Sequence, residues 1–166
     1  GIMLLSQTHV FQERPDGRWV SKKSVSDYRK YLAPDGIILV AAQGTMGDNE
    51  LFGHCQFSHR NFYDQMITQH VLRVVPDSTK LNPGYLFAFL SSEYGFQLLR
   101  RTACGTKLMG FILGLVRQIP VPMASVEVQE EIGSMVYRAY DNRADALTLE
   151  DEAQALLLAA LGWEPD

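Results

Sequence analysis

His54, Cys55 and His59 fall within six residues of one another. Imidazole and thiolate are the groups best suited to hold a metal, or to act as base and nucleophile. Their spacing fits no common zinc pattern, and the second thiol, Cys104, would have to be brought to them by the fold. Satisfied histidines and free cysteines are the plainer reading, so no metal and no cofactor are expected. Gly44-Thr45-Met46-Gly47 is a GxxG loop. It lacks the Lys-Ser/Thr of a phosphate-binding loop and the three glycines of a dinucleotide fingerprint. KH domains bring such a loop to a nucleic-acid backbone, but the spacing alone is cheap. Asn82-Pro83-Gly84-Tyr85 resembles a methyltransferase Asn-Pro-Pro-Tyr loop only superficially and reads as a helix cap. No GxSxG, HExxH or EF-hand pattern occurs. No catalytic residue is assigned, and the sequence leans away from an enzyme.

What remains is the chemistry of hydrogen bonds and charge. The net charge of −4 hides a split. Up to Val126 there are 13 Lys and Arg against 9 acids, a net of +4; from Glu127 onward there are 2 against 10, a net of −8. The first part suits a polyanion and the second would be repelled by one. A solvated acidic helix on a neutral globule is the bland alternative. With 46% hydrophobic residues among 166, the chain has ordinary globular composition and enough apolar material for a core. No window approaches the ~20 apolar residues of a membrane span. Two cysteines are too few for a disulfide scaffold, so a reduced, cytoplasmic setting is expected.

The elements that must position these groups follow from local signals. Pro15-Asp16-Gly17 and Pro34-Asp35-Gly36 mark turns. Residues 24–32 suggest a short helix capped by Ser24 or Ser26. Residues 36–42 are a continuous apolar run, the mark of a buried strand, and residues 69–75 suggest another. Asn82-Pro83 starts a helix that runs towards Arg101, with a break near Ser91-Ser92 or Gly95. Residues 108–115 suggest one or two helical turns, and Pro120 and Pro122 force an extended approach to the last element. Ser125 caps a helix to about Leu161. In it Ile132, Met135, Ala139, Asn142, Ala146, Leu149, Ala153, Leu156 and Ala160 recur at spacings of three and four, a heptad seam. About 36 residues make a rod of ~54 Å, longer than the ~30 Å of the preceding globule. Such a rod asks for a second helix or a second copy of the chain, with Asn142 fixing register; the alternative is a helix folded back onto its own domain. The expected architecture is α+β: a small mixed domain over 1–123 and a long coiled-coil helix over 124–166.

Three segments, in this order, resemble the specificity subunit of type I restriction–modification systems. LAPDGIILVAAQGTMG (residues 32–47) is similar to the family's l-x-x-G-D-i-L-x-x-x-x-G-T-x-G, with Asp35-Gly36 in reversed order. QHVLRVVPDSTKLNPGYLFAFL (residues 69–90) is similar to its strand, loop and p-x-Y-L-x-x-f-L. Gly105-Thr106 followed by VRQIPVPMASVEVQEEI (residues 116–132) resembles G-T, then l-x-x-I-x-I-P-x-P-x-x-x-x-Q-x-x-I, which Ile119, Pro120, Pro122, Gln129 and Ile132 fit. Gly1–Val10 resembles the family's variable opening. The resemblance implies a target recognition domain that reads one half of a bipartite DNA site. It also implies a spacer helix that pairs with another, and docking of methyltransferase (M) and restriction (R) subunits onto a non-catalytic chain. One domain and one helix imply either a half-length subunit acting as a homodimer or a fragment of a longer chain. The competing readings are a recognition domain from a single-chain restriction–methylation enzyme, and a coiled-coil adaptor without nucleic-acid binding.

Base edges are read by polar side chains, and phosphates by cations, hydroxyls and backbone NH groups. The DNA-binding candidates are Ser6, Gln7, Lys22, Lys23, Gln43, Thr45, Arg60, Asn61 and Lys107. Gln43 and Thr45 lead, because they follow a buried strand directly. Lys22-Lys23 as a solvated pair, Arg100-Arg101 as a complement to a helix dipole, and Phe57, Phe62 and Tyr63 as core are the alternatives. The helix-pairing candidates are the seam residues from Ile132 to Leu156.

Overall fold

The structure, a computed structural model, describes residues 1–63 and 65–163, with the side chain of Asn61 outside the description. It is a mixed α+β chain with small sheets and a long C-terminal helix. The chain opens with β1 (Ile2–Leu5), α1 (Gln7–Val10) and β2 (Arg18–Val20). After two 3-10 turns come β3 (Ile38–Ala41), β4 (Gln43–Gly44), β5 (Cys55–Phe57), β6 (Met66–Ile67) and β7 (Val71–Val74). Then follow α2 (Pro83–Ser91), α3 (Glu93–Arg101), a hairpin of β8 (Ala103–Cys104) and β9 (Met109–Phe111), α4 (Leu113–Val116) and α5 (Val126–Ala160). Three small sheets are ordered β2-β1-β6, β5-β3-β7 and β4-β9-β8.

β3 explains why its sequence is apolar without alternation: both faces are covered. Ile38 and Val40 pack with Phe57, Leu86, Leu90, Leu99 and Tyr140. Ile37 and Leu39 pack with Leu5, Val10, Phe62, Ile67 and Val71 on the other side. One strand thus separates two apolar clusters and ties them together.

Two expected helices are corrected. Residues 24–32 form two 3-10 turns, Lys22–Ser24 and Tyr28–Tyr31, and Ser21 rather than Ser24 or Ser26 caps the first. Between them Asp27 sits at φ 51°, a left-handed conformation that no continuous helix can contain. Residues 108–115 form strand β9 and the single turn α4, because Met109 and Gly110 pair with Gly44 and Gln43.

α5 starts where Ser125 accepts from the Val128 amide, 3.5 Å. It stops in a Schellman turn: Gly162 (φ 67°) donates to the Ala159 carbonyl and Trp163 to that of Leu158. Its 35 residues extend ~52 Å. Its first half is fixed to the rest of the chain by a joint of small and polar groups. A Cβ on Gly84 would stand 2.8 Å from the Gly133 Cα, so α2 and α5 meet backbone to backbone. The Asn82 amide donates to Gln129 Oε1 (3.2 Å), while Gln129 Nε2 donates to the Ala124 carbonyl (2.9 Å). Tyr85 donates to the Pro122 carbonyl at 2.8 Å. The Tyr140 hydroxyl accepts from the Phe57 amide at 3.0 Å and donates to Gln56 Oε1.

The face that α5 buries is Gln129, Gly133, Tyr140 and Ala144. At 100° per residue the expected seam lies roughly 140° away from that face. Ile132 is half-buried; Ala139, Asn142, Ala146 and Ala153 are exposed, as are Met135 (50%), Leu149 (64%) and Leu156 (73%). The first half of the helix therefore packs on the preceding residues by a face other than the seam, and the seam is left towards solvent.

Candidate nucleic-acid interface

The short helix α1 begins at Ser6, whose hydroxyl accepts from the His9 amide while the Ser6 amide donates to His9 Nδ1. That capping box aims the next residue, Gln7, at β4. Gln7 Nε2 donates to the Gln43 carbonyl (2.7 Å), and the Gln43 amide donates to Gln7 Oε1 (3.1 Å). Both ends of the Gln7 amide are thus occupied by one backbone unit. Gln7 positions Gln43. The Gln43 side-chain oxygen pairs with His70 Nδ1, and among the described residues its NH2 group has no hydrogen-bond partner.

β4 runs antiparallel to β9, with Gly44 opposite Met109, so the Thr45 end of β4 lies beside the Lys107–Leu108 end of β9. Thr45 and Lys107 are exposed. Ser6, Gln7, Gln43, Thr45 and Lys107 are therefore gathered about one small sheet. Next to them opens a cleft of about 510 Å3 lined by Tyr31, Gln43, Gln69, Arg73, Phe111 and Leu113, among others.

The remaining candidates lie elsewhere. Lys22 and Lys23 follow β2, whose Val20 pairs with Ile2, at the end of β1 opposite Ser6 and Gln7. Arg60 is turned to α5: its guanidinium lies 2.7 Å from Asp145 and 3.4 Å from Asp141. Asn61 falls on the 3-10 turn Arg60–Phe62, but its side chain lies outside the described residues. Phe57 and Phe62 are buried in the core, whereas Tyr63 is exposed.

Sequence reasoning missed two organising cations. Arg100 donates to the carbonyls of Met46, Gly47, Glu50 and Phe52 and lies 4.3 Å over the Phe96 ring. It thereby clamps the GxxG loop, a role no local spacing reveals because some fifty residues intervene. His59 bonds Asp35 through Nδ1 (2.6 Å) and Asp141 through Nε2 (2.9 Å). Burial pushes this imidazole down, but the bonds to Asp35 and Asp141 outweigh it, and the net direction is up. The bond from His59, ahead of that from Arg60, holds the Asp141 carboxyl below its usual range. With Arg14, which meets Glu150 (3.0 Å) and Asp151 (2.7 Å), these residues form a polar clasp between the N-terminal region and α5.

Desolvation pushes the Cys55 thiol up to about 12, so it stays protonated and unreactive at neutral pH. His54 lies tilted against the Phe96 ring, centroids 4.6 Å apart; burial first, and then Arg100, push its imidazole down. Among the described residues no three His, Cys, Asp or Glu side chains are placed to share a metal ion, and no helix is long and apolar enough to cross a membrane. What the Gln43 region offers is hydrogen-bond donors and acceptors on a held backbone. No family model matches the chain, and no curated protein matches it.

Proposed function

We propose that the chain reads one half of a bipartite duplex DNA site, as the type I specificity subunits it resembles do. The joint between α2 and α5 carries this reading. The residues of the resemblance meet there: Asn82, Pro83, Gly84 and Tyr85 from the second segment, Pro122 and Gln129 from the third. The first segment supplies β3, paired with β7 of the second. What the resemblance shares is thus the machinery that sets a long rod at a fixed angle to a small domain, as a spacer between half-sites requires.

The seam supports a partner rod. Ala139, Asn142, Ala146, Leu149, Ala153 and Leu156 are exposed along one face of α5, and pairing with a second copy as a coiled coil would cover them. Methyltransferase and restriction subunits would dock on that paired assembly, and the chain itself would perform no chemistry.

Binding to duplex DNA, measured with methyltransferase subunits present, tests the reading. Affinity should fall steeply as salt rises. Binding that is absent at low salt would leave the coiled-coil adaptor as the surviving account. Methylation by the chain alone should be nil.

A further inference from the structure

The surplus positive charge of the first 126 residues resides in one segment. Between Arg18 and Tyr31 stand Arg18, Lys22, Lys23, Arg29 and Lys30 against a single acid, Asp27. That net of +4 equals the net of the whole region up to Val126, so everything else there balances to zero.

Partners sharpen the contrast. Outside the segment, Arg14 and Arg60 are turned to carboxylates of α5, Arg73 and Arg100 to backbone carbonyls, and Lys80 to Asp77. Arg101, Lys107 and Arg117 are left there with neither an acid nor a bonded carbonyl among the described residues, and they are scattered in sequence. Inside the segment Lys30 pairs with Asp27 (2.7 Å). Arg18, Lys22, Lys23 and Arg29 are exposed and have no acidic partner among the described residues. Four like charges held together without counter-charge repel one another and favour a polyanion that relieves them.

The segment is built to lie against something. Neither of its 3-10 turns buries a residue. Trp19 is 67% exposed, and the hydroxyls of Ser21, Ser24 and Ser26 stand among the cations. Anchors lie near both of its ends. β2 pairs with β1, and Arg73 donates to the carbonyls of Lys30 (2.9 Å) and Tyr31 (3.3 Å). Tyr31 also borders the cleft that Gln43 and Gln69 line.

We infer that residues 18–31 form a phosphate-gripping strip for duplex DNA, with Arg18, Lys22, Lys23 and Arg29 as its contacts, leading at Tyr31 onto the Gln43 cleft where base edges are met. This rests on the DNA-reading function proposed above and assigns its electrostatic part to one strip.

The test compares the slope of log affinity against log salt for a random-sequence DNA duplex. The strip variant carries Arg18→Gln, Lys22→Gln, Lys23→Gln and Arg29→Gln; the control carries Arg101→Gln and Arg117→Gln. Each lost phosphate contact removes about 0.9 from the slope, so the strip variant should be shallower by about 3 to 4 and bind at least about a hundredfold more weakly at low salt. The control should stay near wild type. A Lys22→Gln, Lys23→Gln pair, losing about 2 from the slope, serves should the fourfold variant misfold. Wild-type slope in both strip variants overturns the strip and leaves the DNA reading standing. Absence of salt-dependent binding in the wild type overturns both. Tighter binding of the wild type to anionic vesicles or single-stranded RNA than to the duplex overturns the assignment to duplex DNA.

Discussion

The two halves of α5 share one continuous backbone and have opposite surroundings. From Gln129 to Ala144 the helix buries a polar, small and aromatic face against the domain it follows. Beyond Thr148 the side chains are exposed except for the half-buried Leu158, although this half holds Leu149, Leu156 and Leu157. The more apolar half is thus the less covered one. Contact within the chain here comes from close backbone approach, hydrogen bonding and aromatic packing, which glycine, glutamine and tyrosine supply, while Leu149, Leu156 and Leu157 are left exposed.

The sharpest way to break the contrast is Gly133→Val. A Cβ at Gly133 meets Asn82 Oδ1 at 2.2 Å, inside the joint. Overpacking of this kind costs about 2–3 kcal/mol, a fall of roughly 5–10 °C in Tm by calorimetry. Tyr140→Phe should follow. It strips the Phe57 amide of its acceptor, and an unsatisfied buried amide costs about 1–2 kcal/mol in urea denaturation.

A smaller effect tests the clasp through pH. The folded-state pKa of His59 is raised from 6.5, so its stabilisation is complete below that value and fades as pH rises through the raised one. Melting temperature should decline across that window in the wild type and less so in His59→Ala. A slope identical in both would remove His59 from the clasp. The least disturbance to stability is expected in the far half. Leu149→Asp with Leu156→Asp should leave urea stability within about 0.5 kcal/mol per site, yet light scattering should report loss of any paired species, since buried unpaired charge is not tolerated.

Where a signal is local, the sequence was legible. The Asn82 cap, the break at Ser92, the Ser125 cap and the end of α5 all depend on neighbours within a few residues. β3 and β7 were legible from their apolar runs. β1, β5 and β6 were not, since their pairing with partners far along the chain leaves no local mark. The heptad seam was legible as a pattern, but apolar periodicity pointed away from the face that packs, because that face is built on Gln129, Gly133 and Ala144. Of the candidate site, Gln43, Thr45 and Lys107 were named from residue type and turn position, while the pairing of β4 with β9 that makes them neighbours left no local mark. The bond of Arg60 to Asp145, 85 residues on, was not legible, because no local spacing announces it.

The glycine contact also makes α5 a lever. From Gly133 to Ala160 the arm is ~40 Å, so an angular play of only ~5° at the fulcrum displaces the tip about 3.5 Å, close to one base-pair step. Arg14 and Arg60 act as outriggers along the first part of that arm. These pairs are exposed and so screened by salt, which makes the aim of the tip the property that ionic strength should reach first.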